Sequence, residues 1–216
     1  MTAPPRTPPR VPLRLLLLLA GLVACLRYFL AEVARLKGGL GFPLDDSWIH
    51  LQFARNLAHG AGLSYNPGEF VTGSTAPLWT ALLAVLFLLP GSVLLWAQLL
   101  GAVLYLAGID ATWRLSRELG LGEGLSALAA ALTLATSWLV WSALSGMEIP
   151  LFILLSLWGM ILHLRERRER AAPGRLPLSA GVLAVGALAR PEGILLLALA
   201  FLDRLLVFAP DEGSQG

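Results

Sequence analysis

Three groups of residues in this 216-residue chain carry side chains able to do chemistry. The first is the polar stretch 37–75, which holds Asp45, Asp46, His50, Arg55, Asn56, His59, Tyr65, Asn66 and Glu69. The second is the turn Ser145-Gly146-Met147-Glu148, and the third is Arg190-Pro191-Glu192-Gly193. Carboxylates accept protons when a hydroxyl becomes a nucleophile. A guanidinium grips phosphate or carboxylate through a fork of hydrogen bonds and stays charged even in apolar surroundings. Asp45 or Asp46 can also cap a helix that begins at Ser47 and ends at Gly60, but capping needs only one of them and leaves the other for catalysis.

Missing patterns narrow the chemistry further. The single cysteine, Cys25, excludes an intramolecular disulfide and thiolate metal sets, and no His, Cys and Asp cluster has the spacing of a structural zinc site. Gly60-Ala61-Gly62 lacks the strand and the further glycine of a dinucleotide fingerprint, and no Gly-rich phosphate loop occurs elsewhere. A nucleotide-bound donor is therefore unsupported, and a donor already resident in the membrane fits better.

The elements that must position these residues are read from composition. The chain is 56% hydrophobic and only 14% charged, with a mean hydropathy of +0.72, whereas soluble domains carry roughly 25% charged residues. Its apolar residues come in blocks near the length of about 20 that a helix needs to cross about 30 Å of hydrocarbon. The expected fold is an all-α integral membrane bundle of five to six transmembrane helices, with juxtamembrane helices in an outer-face loop. A Pro- and Arg-rich tail over 1–10 is expected to be disordered and cytoplasmic, and 209–216 to be a polar tail. Between them, 11–208 forms the transmembrane region. Spans are expected at 11–36, 92–113, 124–143, 149–164 and 178–208, the last interrupted by Arg190-Pro191-Glu192-Gly193. Block 76–90 is a short or juxtamembrane helix. Arg27 and Glu32, in the outer half of the first span, either face other helices or reach to the interface.

Charge decides the orientation. If block 76–90 does not cross, Arg6, Arg10, Arg14, Arg114, Arg117, Arg165, Arg167, Arg168, Arg170, Arg175 and Arg204 all lie inside, against Arg35, Lys37 and Arg55 outside. That arrangement makes the N-terminus cytoplasmic and brings all three chemical groups to the outer leaflet. Ile49, Phe53 and Leu57 then form the apolar stripe of a membrane-surface helix, with His50, Arg55 and His59 facing away from it. The basic residues orient the protein rather than bind nucleic acid: they flank apolar blocks and are arginine except for Lys37. Leu22-Val23-Ala24-Cys25 is similar to a bacterial lipoprotein processing box. Most of the chain after Cys25 is as apolar as the leader, so a membrane-packed cysteine is the expected role.

The segments Asp45-Asp46-Ser47-Trp48-Ile49, Phe53-Ala54-Arg55-Asn56-Leu57, Gly60, Tyr65-Asn66-Pro67-Gly68-Glu69, Gly73-Ser74-Thr75 and Pro77-Leu78-Trp79 together resemble the first outer loop of GT-C glycosyltransferases. The similarity is greatest to the branch holding cell-wall arabinofuranosyltransferases and bacterial protein-mannosyltransferase-like enzymes. Ser145-Gly146-Met147-Glu148-Ile149-Pro150 resembles the later outer turn of that branch, and Arg190-Pro191-Glu192-Gly193 its broken-helix motif, in matching order.

The resemblance implies the N-terminal half of an enzyme of the bacterial inner membrane. Such an enzyme takes a sugar from a polyprenyl-phosphate donor and passes it to a glycan, lipid or protein acceptor at the outer face. It places the essential acid at Asp45 or Asp46, which also become the candidate ligands if a divalent cation takes part. Arg190 would hold the departing lipid phosphate, with Arg55 as second candidate. Glu148, Glu192, His50, Tyr65 and Asn66 would contact substrate. Family members usually have more crossings than this chain, so a truncated frame or fragment is expected, or else a short protein that needs a partner. Two other classes stay open: a secondary transporter, which should show a repeat of the Asp45–Trp79 pattern that the chain lacks, and a non-catalytic scaffold, which should tolerate neutral residues at both aspartates.

Overall fold

Where water is absent, every backbone N–H and C=O must be satisfied inside its own segment, and the apolar blocks fold as helices for that reason. The computed structural model describes residues 12–69, 71, 73–169 and 177–207. Both expected tails, and Arg170 and Arg175, lie outside the described residues. Within these the elements are helices alone: α1 (Leu13–Arg35), α2 (Asp45–Ala58), α3 (Pro77–Leu86), α4 (Val93–Glu118), α5 (Glu123–Ala135), α6 (Ser137–Leu144), α7 (Ile149–Arg168), α8 (Leu178–Ala189) and α9 (Gly193–Val207).

Fewer of these are long and apolar enough to cross a membrane than the apolar blocks suggested. Helices α1, α4 and α7 are each long and apolar enough to span a membrane, and the bent pair α5 and α6 makes up to four. The block at 124–143 is broken at Thr136, where the axis turns by 57°. There ψ opens to 93°, and the Thr136 hydroxyl donates to the Leu132 carbonyl at 2.8 Å, a back-bond that bends helices. Helix α3 has only 10 residues and α8 only 12, which at 1.5 Å per residue is about 15 and 18 Å, well short of a bilayer.

Ion pairs mark one end of the bundle. Arg14 at the start of α1 pairs with Asp110 of α4, which also holds Arg114 at 2.6 Å. Glu118 at the end of α4 holds Arg165 and Arg168 of α7 at 2.6 and 2.7 Å. Glu166 of α7 accepts from the Ser179 amide and hydroxyl at the start of α8, at 3.0 and 2.6 Å, and from Arg204 near the end of α9 at 3.2 Å. Because one carboxylate touches both the start of α8 and the end of α9, these two helices form an antiparallel hairpin. The block at 178–208 is thus a hairpin whose tip is Arg190-Pro191-Glu192, and not one interrupted span. The opposite end of the bundle carries the 37–75 segment, the 145–148 turn and this tip.

Lipid supplies no hydrophobic force between helices, so close approach depends on small residues. A Cβ on Gly101 of α4 would sit 1.7 Å from the Ala143 carbonyl oxygen of α6, and one on Gly159 of α7 would sit 2.3 Å from Leu183 of α8. Cys25 is 4% exposed and lies in one cluster with Tyr105, Ile109 and Ala130, the place of a packed membrane cysteine. Leu15, Leu19, Leu22, Leu26 and Leu30 leave one side of α1 exposed and apolar, a surface suited to lipid.

The backbone contact at Gly101 can be tested against Gly108, where an added Cβ meets nothing within 4 Å. Gly101→Ala should cost about 1–3 kcal/mol through overpacking and lower the thermal midpoint in detergent, while Gly108→Ala should leave it unchanged or raise it. Equal midpoints for the two variants would contradict the α4–α6 contact.

Candidate active site

Helix α2 starts at Asp45, ahead of the Ser47 that its sequence suggests. Leu44 is the N-cap, and Asp45 and Asp46 fall in the first turn with no side-chain capping bond. Carboxylates in a first turn are stabilised by the helix dipole without capping, so both acids remain exposed. The C-terminus follows expectation. His59 is the C-cap, Gly60 takes φ +79°, and the amides of Gly60 and Ala61 reach back to the carbonyls of Leu57 and Asn56 at 3.1 and 2.9 Å, the Schellman pattern.

The buried face of α2 consists of Ser47, His50, Leu51, Phe53, Ala54 and Asn56. His50 therefore points inward, contrary to the apolar-stripe reading, and Ile49 and Leu57 are only half-buried. The reason is tertiary: α2 rests on α3 and on the 145–148 turn, and that turn offers polar partners. Ser47 Oγ donates to the Ser145 carbonyl at 2.6 Å, and Trp79 Nε1 of α3 donates to the Gly146 carbonyl at 2.9 Å. Gly146 itself has φ +80°, and a Cβ there would lie 2.6 Å from the Phe42 ring. Both conformation and space restrict this position to glycine.

The clamped turn delivers Glu148 to the centre of a charged group. Glu148 Oε1 accepts from Arg190 Nη1 at 2.7 Å. Its Oε2 lies 3.5 Å from His50 Nε2, both side chains being 6% exposed. That spacing is an electrostatic contact but too long for a hydrogen bond. Glu148 Oε2 and His50 Nδ1 are accordingly buried without a hydrogen-bond partner. On its other side Arg190 donates to Glu192, Nη2 to Oε1 at 2.9 Å and Nε to Oε2 at 3.4 Å. Arg190 can reach both acids because α8 ends there. The residue before a proline is pushed to extended backbone, and Arg190 adopts φ −149°, ψ 136° ahead of Pro191. Thr75, Glu148, Ala189, Arg190, Pro191 and Glu192 line a cleft of about 260 Å³.

Asp46 lies one helical turn before His50, and its charge acts on that ring. His50 is held below the usual imidazole value of 6.5, first by burial, with Glu148 and Asp46 pulling the other way. Neither Asp45 nor Asp46 lines the cleft, and the remaining sequence candidates stand apart as well. Arg55, in the second half of α2, and the C-cap His59 are exposed. Tyr65 and Asn66 are exposed and do not line the cleft. Their loop is tied down by Asn56 Nδ2, which donates to the carbonyls of Ser64 and Tyr65 at 2.8 and 2.9 Å, and by Gln52 Nε2 on Tyr65 O at 3.1 Å. Among the described residues no group of three or more His, Cys, Asp or Glu could hold a metal ion, so Asp45 and Asp46 lack a third protein ligand there. The sequence gives Ser47 no role beyond its place in the motif and at the helix start, and does not single out Phe42 or Gln52. Their types carry no signal, and only the turn and loop that they face give them work.

The direction at His50 fixes a pH response. A base whose folded value is depressed contributes stability above its unfolded value, here about 6.5, and that contribution is lost as the pH falls below it. The thermal midpoint should therefore drop faster between pH 7 and pH 5 in the unaltered protein than in His50→Gln. Parallel curves would remove the buried neutral imidazole from this description.

No family profile, no curated protein and no solved structure matches the chain, and its function has to be read from the site itself.

Proposed function

We propose that the chain carries the donor site of a GT-C-type glycosyltransferase that moves a sugar from a polyprenyl phosphate to a hydroxyl acceptor at the outer face of a bacterial inner membrane. The observation that carries this reading is the Glu148–Arg190 pair, its carboxylate buried, at the tip of a short helical hairpin and lining a cleft shared with Thr75. A cation held at membrane depth by a broken helix suits an anionic group that arrives within the bilayer. The end rich in arginine, with Arg14, Arg114, Arg165, Arg167, Arg168 and Arg204, is then cytoplasmic.

Glu192 has a side chain 60% exposed and Glu148 one 6% exposed, so Glu192 is the partner that a phosphate can replace. The donor phosphate takes over the Nη2 and Nε side of Arg190, while Glu148 keeps Nη1 and fixes the plane of the guanidinium. The free Oε2 of Glu148 accepts a sugar hydroxyl. Asp46 or Asp45 takes the proton of the acceptor hydroxyl as its oxygen bonds to the anomeric carbon. The bond from that carbon to the phosphate oxygen breaks, and the electron pair leaves on the lipid phosphate, facing Arg190.

Transfer from labelled polyprenyl-phosphate arabinose or mannose in membranes that contain the protein tests this. Asp46→Asn should cut turnover by about 10²-fold or more without altering membrane insertion. Arg190→Lys should raise the donor KM by about 10-fold as the fork is lost. Glu192→Gln should lower that KM by freeing the guanidinium. Unchanged transfer in the first two variants would leave the scaffold reading standing instead.

A further inference from the structure

A second feature of the same half of the molecule is not used by the proposed chemistry. Helix α1 and the bend between α5 and α6 enclose a groove of about 790 Å³ lined by Ala24, Arg27, Tyr28, Leu134, Trp138 and Trp141 among others. Arg27 is exposed on α1, fourteen residues beyond Leu13 and so about 21 Å along a helix that crosses the membrane. The one acid on α1, Glu32, is already taken by Arg35 at 2.8 Å and by the Tyr28 hydroxyl at 3.2 Å. Among the described residues no carboxylate stands within ion-pair distance of Arg27. A membrane-embedded guanidinium needs an anion or water.

The groove divides by polarity in the way one ligand class would require. Its walls at Ala24 and Leu134 are apolar. Trp138 and Trp141 form a stacked pair with ring centroids 4.4 Å apart and planes 26° from parallel, and Trp138 is 58% exposed. Tryptophan favours the depth where headgroups meet acyl chains, and arginine grips phosphate oxygens in a fork. We infer that this groove binds one anionic phospholipid drawn from the surrounding bilayer, its phosphate on Arg27, its glycerol region against the tryptophan pair and an acyl chain along the α1 and α5 wall. Helix α6 runs directly from the tryptophans into the clamped Ser145–Glu148 turn, so the lipid would sit on the element that holds Glu148. The inference rests on membrane placement and not on glycosyl transfer, and it survives if no sugar is moved.

The experiment is native mass spectrometry of the full chain ejected from nanodiscs of phosphatidylcholine containing an equal part of phosphatidylglycerol. One phosphatidylglycerol should be retained in preference to phosphatidylcholine by about 10-fold or more. Arg27→Gln should abolish the preference, Arg27→Lys should keep part of it, and Trp138→Ala should reduce retention several-fold. Arg27 is exposed, so the thermal midpoints of the two Arg27 variants should match that of the unaltered protein. Equal retention of both lipids, an unchanged preference in Arg27→Gln, loss of the lipid to millimolar inorganic phosphate, or a dimer that excludes lipid would each overturn the proposal.

Discussion

A carboxylate in a membrane bundle must be neutralised where it stands, and this requirement at Glu148 organises the end of the molecule that carries it. The pair with Arg190 joins the turn before α7 to the tip of the α8–α9 hairpin. Satisfying it demands that α8 stop early, that Pro191 enforce an extended residue, and that α7 and α8 approach closely enough for Leu183 to lie where a Cβ on Gly159 would be. Removing one partner alone would leave a buried uncompensated charge, a loss of about 3–5 kcal/mol in other proteins. The clamp from Ser47, Trp79 and Phe42 holds the carboxylate at the position where the pair can form.

The charge around this pair is not balanced. Arg190 meets Glu148 and Glu192, and the neutral form of His50 adds nothing, so the cleft is net negative before Asp46 is counted. A phosphate entering such a site meets repulsion unless an acid leaves, and the difference in exposure between Glu148 and Glu192 determines which one does. The buried Oε2 of Glu148 and Nδ1 of His50 remain without hydrogen bonds, an expensive state for polar atoms. A bound hydroxyl or an ordered water would relieve it.

Much of this was legible in the chain because it depends on local rules. Apolar blocks gave the helical membrane character, Gly60 the end of α2, and Pro191 the break after α8. The inward turn of His50 was not legible, since a helical wheel ranks faces by hydrophobicity and takes no account of carbonyls on a distant turn. The 57° bend at Thr136 was hidden for a related reason, because one threonine within an apolar run has no distinctive pattern. The return of α9 depends on Glu166 reaching Ser179 and Arg204 together, a pairing across 13 and 38 positions that only tertiary structure creates.

The hairpin has a consequence for biosynthesis. With arms of 12 and 15 residues, about 18 and 22 Å long, and both feet held by Glu166, it can enter the bilayer from one side without carrying a hydrophilic segment across. Asp203 and Arg204 then stay at the end of the bundle where Glu166 holds both feet. The insertion machinery therefore has to move only the Arg190–Glu192 tip into the membrane, and that tip brings its own counter-charge.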